Sequence, residues 1–201
     1  MSRRPNPYAK PDARTRAAKA SGYPARSVFK LKEIDERLKL LRRGMRVLDL
    51  GAAPGSWTLY ASEHVGSEGR VLAVDLKNTE LALPPNVTWM QGDALELGGD
   101  VFAAAAPYDV ILSDMAPSTS GSKVRDQAQS YELFMRALEV AVAVGKPGAH
   151  YAGKLFMSND FQSARAALAG HFESVKVIRP EGTRQQSSEL FLVGMGLKAE
   201  R

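Results

Sequence analysis

The chain has 201 residues, of which 44% are hydrophobic, and a formal net charge of +5 from 27 basic and 22 acidic side chains. That length suits one domain with a sizeable core, and no apolar run approaches the roughly 20 residues of a membrane-spanning helix, so a soluble, cytoplasmic protein is expected. The absence of cysteine excludes disulfides, thiolate-ligated zinc and any thiolate nucleophile. His64, His150 and His171 are too dispersed to form a metal triad, so no metal site is expected.

Residues 1–22 carry Arg3, Arg4, Lys10, Arg14, Arg16 and Lys19 against Asp12 alone, which accounts for the whole surplus of the chain. A positive field concentrated on one arm suits a polyanion. A solubilising tail and an organellar transit peptide are the competing readings. Pro5, Pro7 and Pro11 break any long amphipathic helix there, and Tyr8 and Tyr23 add stacking surfaces among the charges, which favours contact with RNA. The expected organisation is a basic arm, 1–22, followed by one domain, 23–201.

After the arm, Ser27 is expected to cap a helix with Val28, Leu31, Ile34, Leu38 and Leu41 at helical spacing, closed by Arg42-Arg43-Gly44. From Arg46 onward, strand and helix patterns alternate. Strands are predicted at 46–50, 71–75, 87–90, 110–114, 149–156, 175–178 and 190–193, and helices at 57–65, 131–144 and 160–169. Several of the strands are continuous apolar runs, as in sheets covered by helices on both faces. The expected class is α/β, with a seven-stranded, mostly parallel, Rossmann-like sheet.

The first of these strands runs into Asp49-Leu50-Gly51-Ala52-Ala53-Pro54-Gly55 and then a helix at Trp57. Ligands of open α/β sheets sit at such junctions, where glycine admits close backbone approach and a helix begins with free N–H groups. The G-x-G-x-x-G spacing and the P-loop lysine are both missing, which disfavours NAD, FAD and ATP. A cofactor with a nucleoside and a small zwitterionic tail remains, S-adenosylmethionine being the common one; a glycine turn used only for packing is the other reading. Three acids lie at successive strand ends: Asp75, Asp93 and Asp114. Asp75 is placed to accept both ribose hydroxyls, and Asp93 to accept the exocyclic amine of adenine. Any one of them alone would more simply be a turn or helix cap, but three together favour a nucleoside site.

Taken jointly, several segments resemble the FtsJ/RlmE family of ribosomal RNA ribose 2′-O-methyltransferases, over about Arg26 to Val193. They are Arg26-Ser27-Val28-Phe29-Lys30-Leu31, the stretch Asp49 to Trp57, Gln91-Gly92-Asp93, Ser113-Asp114-Met115-Ala116-Pro117, Gly153-Lys154-Leu155-Phe156 and Ser188-Glu189-Leu190-Phe191. The resemblance implies a catalytic tetrad on Lys30, Asp114, Lys154 and Glu189. It also implies cofactor contacts on Gly55, Trp57, Asp75, Asp93 and Asp114, to which the loop adds Gly51. Ser56 stands where bacterial members often have a second glycine, and the strand of Lys154 lacks the usual preceding valine pair.

The implied reaction is in-line transfer of a sulfonium methyl to a ribose 2′-hydroxyl of large-subunit (23S) ribosomal RNA, at a uridine, by a monomer. Transfer RNA is the runner-up substrate, and a non-catalytic ribosome-assembly factor or a small-molecule O-methyltransferase are the alternatives of other classes. The hydroxyl needs a proton acceptor and alignment, whereas the sulfonium needs no acid to leave. Lys154 as that acceptor requires a neutral amine; burial and Lys30 act toward it, and Asp114 and Glu189 act against it. If the carboxylates win, Lys154 instead steadies the developing alkoxide. Base methylation is disfavoured by the missing cysteine and by the departure of Asp114-Met115-Ala116-Pro117 from an Asp/Asn-Pro-Pro-aromatic loop. The polar segment from Ser118 to Lys123 is expected to close over the substrate.

Overall fold

The computed structural model describes residues 13–103, 105–118, 120–181 and 188–199. Arg3, Arg4, Tyr8 and Lys10 of the arm therefore lie outside the described residues, as does Thr119 of the segment after Asp114. In chain order the elements are α1 (Ala13–Ala20), α2 (Val28–Leu38), β1 (Arg46–Leu50), α3 (Ser56–Val65), β2 (Arg70–Asp75), β3 (Val87–Gln91) and α4 (Gly99–Ala103). β4 (Tyr108–Ser113), α5 (Lys123–Val144), β5 (Gly145–Phe156), α6 (Phe161–His171), β6 (Phe172–Ile178) and β7 (Glu189–Leu197) follow.

The strands form one sheet in the order β3-β2-β1-β4-β5-β7-β6, parallel except where β7 pairs antiparallel with β5 and β6. The chain winds outward from β1 to β3 and then returns to β4 on the other side of β1. A crevice therefore opens beyond the carboxyl ends of β1 and β4, where open α/β sheets hold ligands.

Side-chain alternation divides the core into two layers. Leu48 and Leu50 of β1 and Leu155 of β5 face α5 and α6, meeting Phe134, Ala137, Leu138, Ala164 and Leu168. Val47 of β1, Leu112 of β4 and Phe191 of β7 face the opposite way, toward Val28, Leu31 and Ile34 of α2 and Trp57, Tyr60 and Ala61 of α3. Each of those three α2 side chains is at most 1% exposed, a burial worth about 1.5–3 kcal/mol apiece. The lysine at position 30 is thereby held against the sheet.

Several boundaries differ from the sequence reading. α2 ends at Leu38, because Lys39 adopts a left-handed conformation (φ 55°) and its N–H closes on Asp35 O at 2.7 Å. The Asp35 carboxylate, buried, accepts the Leu41 N–H at 2.9 Å, so Leu41 packs from outside the helix and Arg42-Arg43-Gly44 follow a turn. Ser27 is helical and makes no side-chain cap. α5 begins eight residues before the predicted Tyr131, at Lys123, and passes into β5 at Gly145 without a loop. Polar residues on its first turns hide the apolar periodicity there. α1 forms just after Pro11, a position compatible with prolines that block only a longer helix.

Candidate functional site

The loop after β1 is shaped by glycine. Gly51 has φ 75°, its N–H donates to Val74 O at 2.9 Å, and a Cβ there would lie 2.8 Å from the Met115 backbone nitrogen. No side chain fits, so the loops after β1 and β4 touch through bare backbone. Gly55, at φ 102°, starts α3; a Cβ there would lie 2.5 Å from Leu81 Cδ1. Between them the Ala53 N–H donates to Asp75 Oδ2 at 2.9 Å, and Asp75 Oδ1 accepts the Lys77 N–H at 2.8 Å. The carboxylate at the end of β2 thus braces the glycine loop while remaining partly exposed.

Ser56 has a use that a second glycine would lack. Its hydroxyl, 1% exposed, accepts the Ala25 N–H at 2.8 Å and donates to Ala25 O at 3.1 Å. Beside it Trp57 donates its indole N–H to Ser27 O at 2.9 Å and packs on Phe191 with ring centroids 5.5 Å apart. Tyr23 donates to Glu63 Oε2 at 2.6 Å, and burial with that carboxylate raises its hydroxyl pKa. Together these contacts anchor the segment between α1 and α2 on α3, so Tyr23 serves as an anchor here rather than as a free stacking surface.

A cavity of about 340 Å³ opens above the loop, lined by Gly51, Asp75, Asp93 and Asp114 with the apolar Leu76, Leu95 and Met115. That volume and mixed lining suit a nucleoside-sized ligand. Gly55 and Trp57 are not among its lining residues; the Trp57 ring lies in the core layer beneath α2. Asp93 Oδ1 accepts the Leu95 N–H at 2.9 Å, leaving Oδ2 for a ligand. Ser118 also lines the cavity, and its loop is tied down by Asp126, whose Oδ1 accepts the Ser120 N–H at 2.8 Å and the Ser120 hydroxyl at 2.7 Å. Those bonds lower the Asp126 pKa.

Lys30, Asp114, Lys154 and Glu189 come together by strand parity. Glu189 pairs with Phe156, and Phe191 with Lys154, across β5 and β7. Directly opposed residues point to one face, as do residues two apart, so Lys154 and Glu189 share the α2-facing side with Phe191. Their positions on that face are separated by two residues of rise, roughly 7 Å. Ser113 pairs with Gly153, which carries Asp114 alongside Lys154. Lys154 Nζ donates to Asp114 O at 2.5 Å and to Asp114 Oδ1 at 2.8 Å, with its side chain 6% exposed. Lys30, reaching down from α2, meets Glu189 Oε1 at 2.6 Å. Two nearly buried ion pairs therefore stand beside the cavity wall that Asp114 shares.

The end of β5 is pinned from α5 and tied to the start of β7. Ser130 Oγ accepts the Phe156 N–H at 2.9 Å, Gln127 Nε2 donates to Met157 O at 2.5 Å, and the Met157 N–H donates to Ser188 O at 2.7 Å. On the α2 side, Glu33 Oε2 accepts the Glu181 N–H at 2.9 Å, tying the residues just after β6 to α2.

Sequence reasoning missed one carboxyl in the motif it quoted. Asp49 has no exposed surface; Oδ2 accepts the Thr58 hydroxyl at 2.6 Å, and Oδ1 has no hydrogen-bond partner among the described residues. Burial pushes its pKa up to about 7, and the nearby charges of Asp114 and Asp75 act the same way against the Thr58 bond. An acid within an apolar strand was the available signal. Among the described residues no group of three His, Asp or Glu side chains is placed to hold a metal ion, and no helix is long and apolar enough to cross a membrane.

Residues 23–197 match the model of the FtsJ-like methyltransferase family. The chain is 61% identical over 200 residues to the ribosomal RNA large subunit methyltransferase E of Sorangium cellulosum, covering 99% of this chain and 94% of that protein. It is 50% identical over 186 residues to the protein of the same name from Nitratidesulfovibrio vulgaris, covering 91% of this chain and 92% of that one. The fold resembles a solved structure from Plasmodium falciparum described as a ribosomal RNA methyltransferase, with a TM-score of 0.75 at 23% identity, over 89% of this chain and 100% of that one. This chain belongs to the FtsJ-like methyltransferase family.

Proposed function

We propose that the chain is an S-adenosylmethionine-dependent methyltransferase acting on a ribose 2′-hydroxyl of large-subunit (23S) ribosomal RNA, at a uridine. The observation that carries this reading is the pair of lysine–carboxylate contacts, Lys154–Asp114 at 2.8 Å and Lys30–Glu189 at 2.6 Å, beside a nucleoside-sized cavity. The relatives' names support ribosomal RNA as the substrate.

The cofactor supplies an electrophilic methyl on a sulfonium, and the donor set fits it. Asp75 takes the ribose hydroxyls, Asp93 the adenine amine, and the bare backbone of Gly51 gives room for the tail; Gly55 and Trp57, outside the cavity lining, contribute through the start of α3. Asp114 forms the wall between cofactor and substrate. Lys154 accepts the proton of the 2′-hydroxyl. Its two bonds to Asp114, at 2.5 and 2.8 Å, hold the Nζ in place beside the cavity wall. Lys30 and Glu189, paired with one another, orient the ribose. The protein acts as a monomer, without a metal, in the cytoplasm. The arm, residues 1–22, grips phosphates next to the target; Arg14, Arg16 and Lys19, its described basic residues, are exposed.

Two measurements test the reading. Resistance to alkaline cleavage, mapped over ribosomal and transfer RNA from cells with and without the protein, should reveal one ribose in 23S RNA that depends on it. A site in transfer RNA instead would overturn the substrate. For the mechanism, Lys154→Arg keeps a permanent cation; activity should fall by roughly a hundredfold or more, the range of general-base catalysis. Retention of most activity would assign Lys154 to electrostatic stabilisation instead.

A further inference from the structure

The turn that carries Asp93 is held from behind by a residue that never enters the cavity. Residues 93–97 form one helical turn in which Asp93 O accepts the N–H groups of Glu96 at 3.0 Å and Leu97 at 2.9 Å. A single turn leaves its remaining carbonyls without partners. Those of Ala94 and Leu97 are met by Arg136 of α5, through Nε at 3.0 Å and Nη2 at 2.7 Å. Nη1 turns to Glu139 on the same helix at 3.4 Å. A planar guanidinium bound to two carbonyls at once fixes both the position and the tilt of the turn, which a point charge on a flexible stem does not do. Its positive charge also complements the carbonyl end of the turn.

We propose that Arg136 is a specificity-determining positioning residue: through Ala94 and Leu97 it sets the Asp93 carboxylate where the exocyclic amine of adenine must lie. The inference rests on the assignment of Asp93 to base recognition. Ribose and tail contacts come from other segments, the end of β2 and the glycine loop, which Arg136 does not touch. Releasing the turn therefore weakens one contact selectively, because a hydrogen bond to a carboxylate is lost when its partner moves by about half an ångström to one ångström.

The test is calorimetric titration of the whole chain with two ligands, S-adenosylhomocysteine and its analogue with hydrogen in place of the purine 6-amino group. A charge-assisted hydrogen bond corresponds to a preference for the amine of roughly ten- to a hundredfold in the unmodified protein. In Arg136→Met the preference should fall below about threefold, with Arg136→Lys intermediate. Each preference is a ratio from one preparation, so any misfolded fraction cancels. Two results overturn the proposal, and they differ. If Asp93→Asn leaves the preference intact, the assignment of Asp93 fails. If Asp93→Asn abolishes it while Arg136→Met retains it, or weakens both ligands equally, Asp93 reads the base without help from Arg136.

Discussion

Asp49 offers a test of the site's electrostatics that requires no substrate. The carboxyl is fully buried and its pKa is raised from 3.8 to about 7, chiefly by burial. Between those values the folded protein holds a proton that the unfolded chain has released, so stability falls as pH rises through that window. Roughly three pKa units at 1.36 kcal/mol each place the loss at about 4 kcal/mol by pH 8, a large share of the 5–15 kcal/mol typical of a folded domain. Asp49→Asn removes the titration. Its amide oxygen still accepts from Thr58, but its NH2 group replaces Oδ1 and lacks a partner, at a cost of about 1–3 kcal/mol. The variant should therefore be less stable than the unmodified protein near pH 4 and more stable, by about 1–3 kcal/mol, at pH 8, with the two curves crossing between about pH 4.5 and 6. Urea unfolding of both proteins between pH 4 and 8 reads the difference directly, with other titrating groups cancelling. A stability difference that stays constant across that range would show that Asp49 is ionised throughout and refute the reasoning.

Two further substitutions probe the cofactor loop. Gly51→Ala places a Cβ within 2.9 Å of Met115 Cα at a φ of 75°, and should weaken S-adenosylhomocysteine binding by at least about tenfold as the two loops part, measured by calorimetry. Ser56→Gly removes both hydrogen bonds to Ala25 and should cost about 1–2 kcal/mol in urea unfolding, while cofactor affinity changes by less than about threefold. A loss of affinity without loss of stability would place Ser56 in the site itself.

The parts of the molecule written in strong local patterns were legible in the sequence. The strand-loop-helix junction at Asp49 to Gly55 is carried by glycines whose positive φ angles leave few alternatives, and Asp75, Asp93 and Asp114 mark strand ends because acids break apolar runs. Lys30, Asp114, Lys154 and Glu189 are named through family resemblance; each alone has the appearance of a surface charge, and only the pairing of β5 with β4 and β7, with α2 laid against the sheet, joins them. What stayed hidden depends on tertiary contact. Nothing near Arg136 distinguishes it from a solvated helical cation until its two carbonyl partners are placed opposite. Leu41 keeps helical phase and so suggests a longer α2, although Lys39 turns left-handed and ends the helix, and the buried Asp35 carboxylate then collects the Leu41 N–H. The packing of the Trp57 ring in the core is likewise invisible in the sequence.

Assembly of the tetrad by parity makes the reaction depend on register. A one-residue slip of β7 against β5 would turn Glu189 toward α5 and leave Lys30 facing an apolar side chain, since adjacent strand residues alternate faces. The same slip would drive Phe191 out of its contact with Trp57 and expose core on both layers. Apolar packing therefore penalises the misregister that would also disperse the ion pairs. The polar contacts at the strand ends finish the alignment: Ser130 on Phe156, Gln127 on Met157, and Met157 on Ser188 fix where β5 stops and β7 begins. Lys154 and Glu189 are each within three residues of these bonds. The buried charges, which would be costly if mispaired, thus rely on a register that hydrophobic burial selects and three hydrogen bonds from outside the site make sharp.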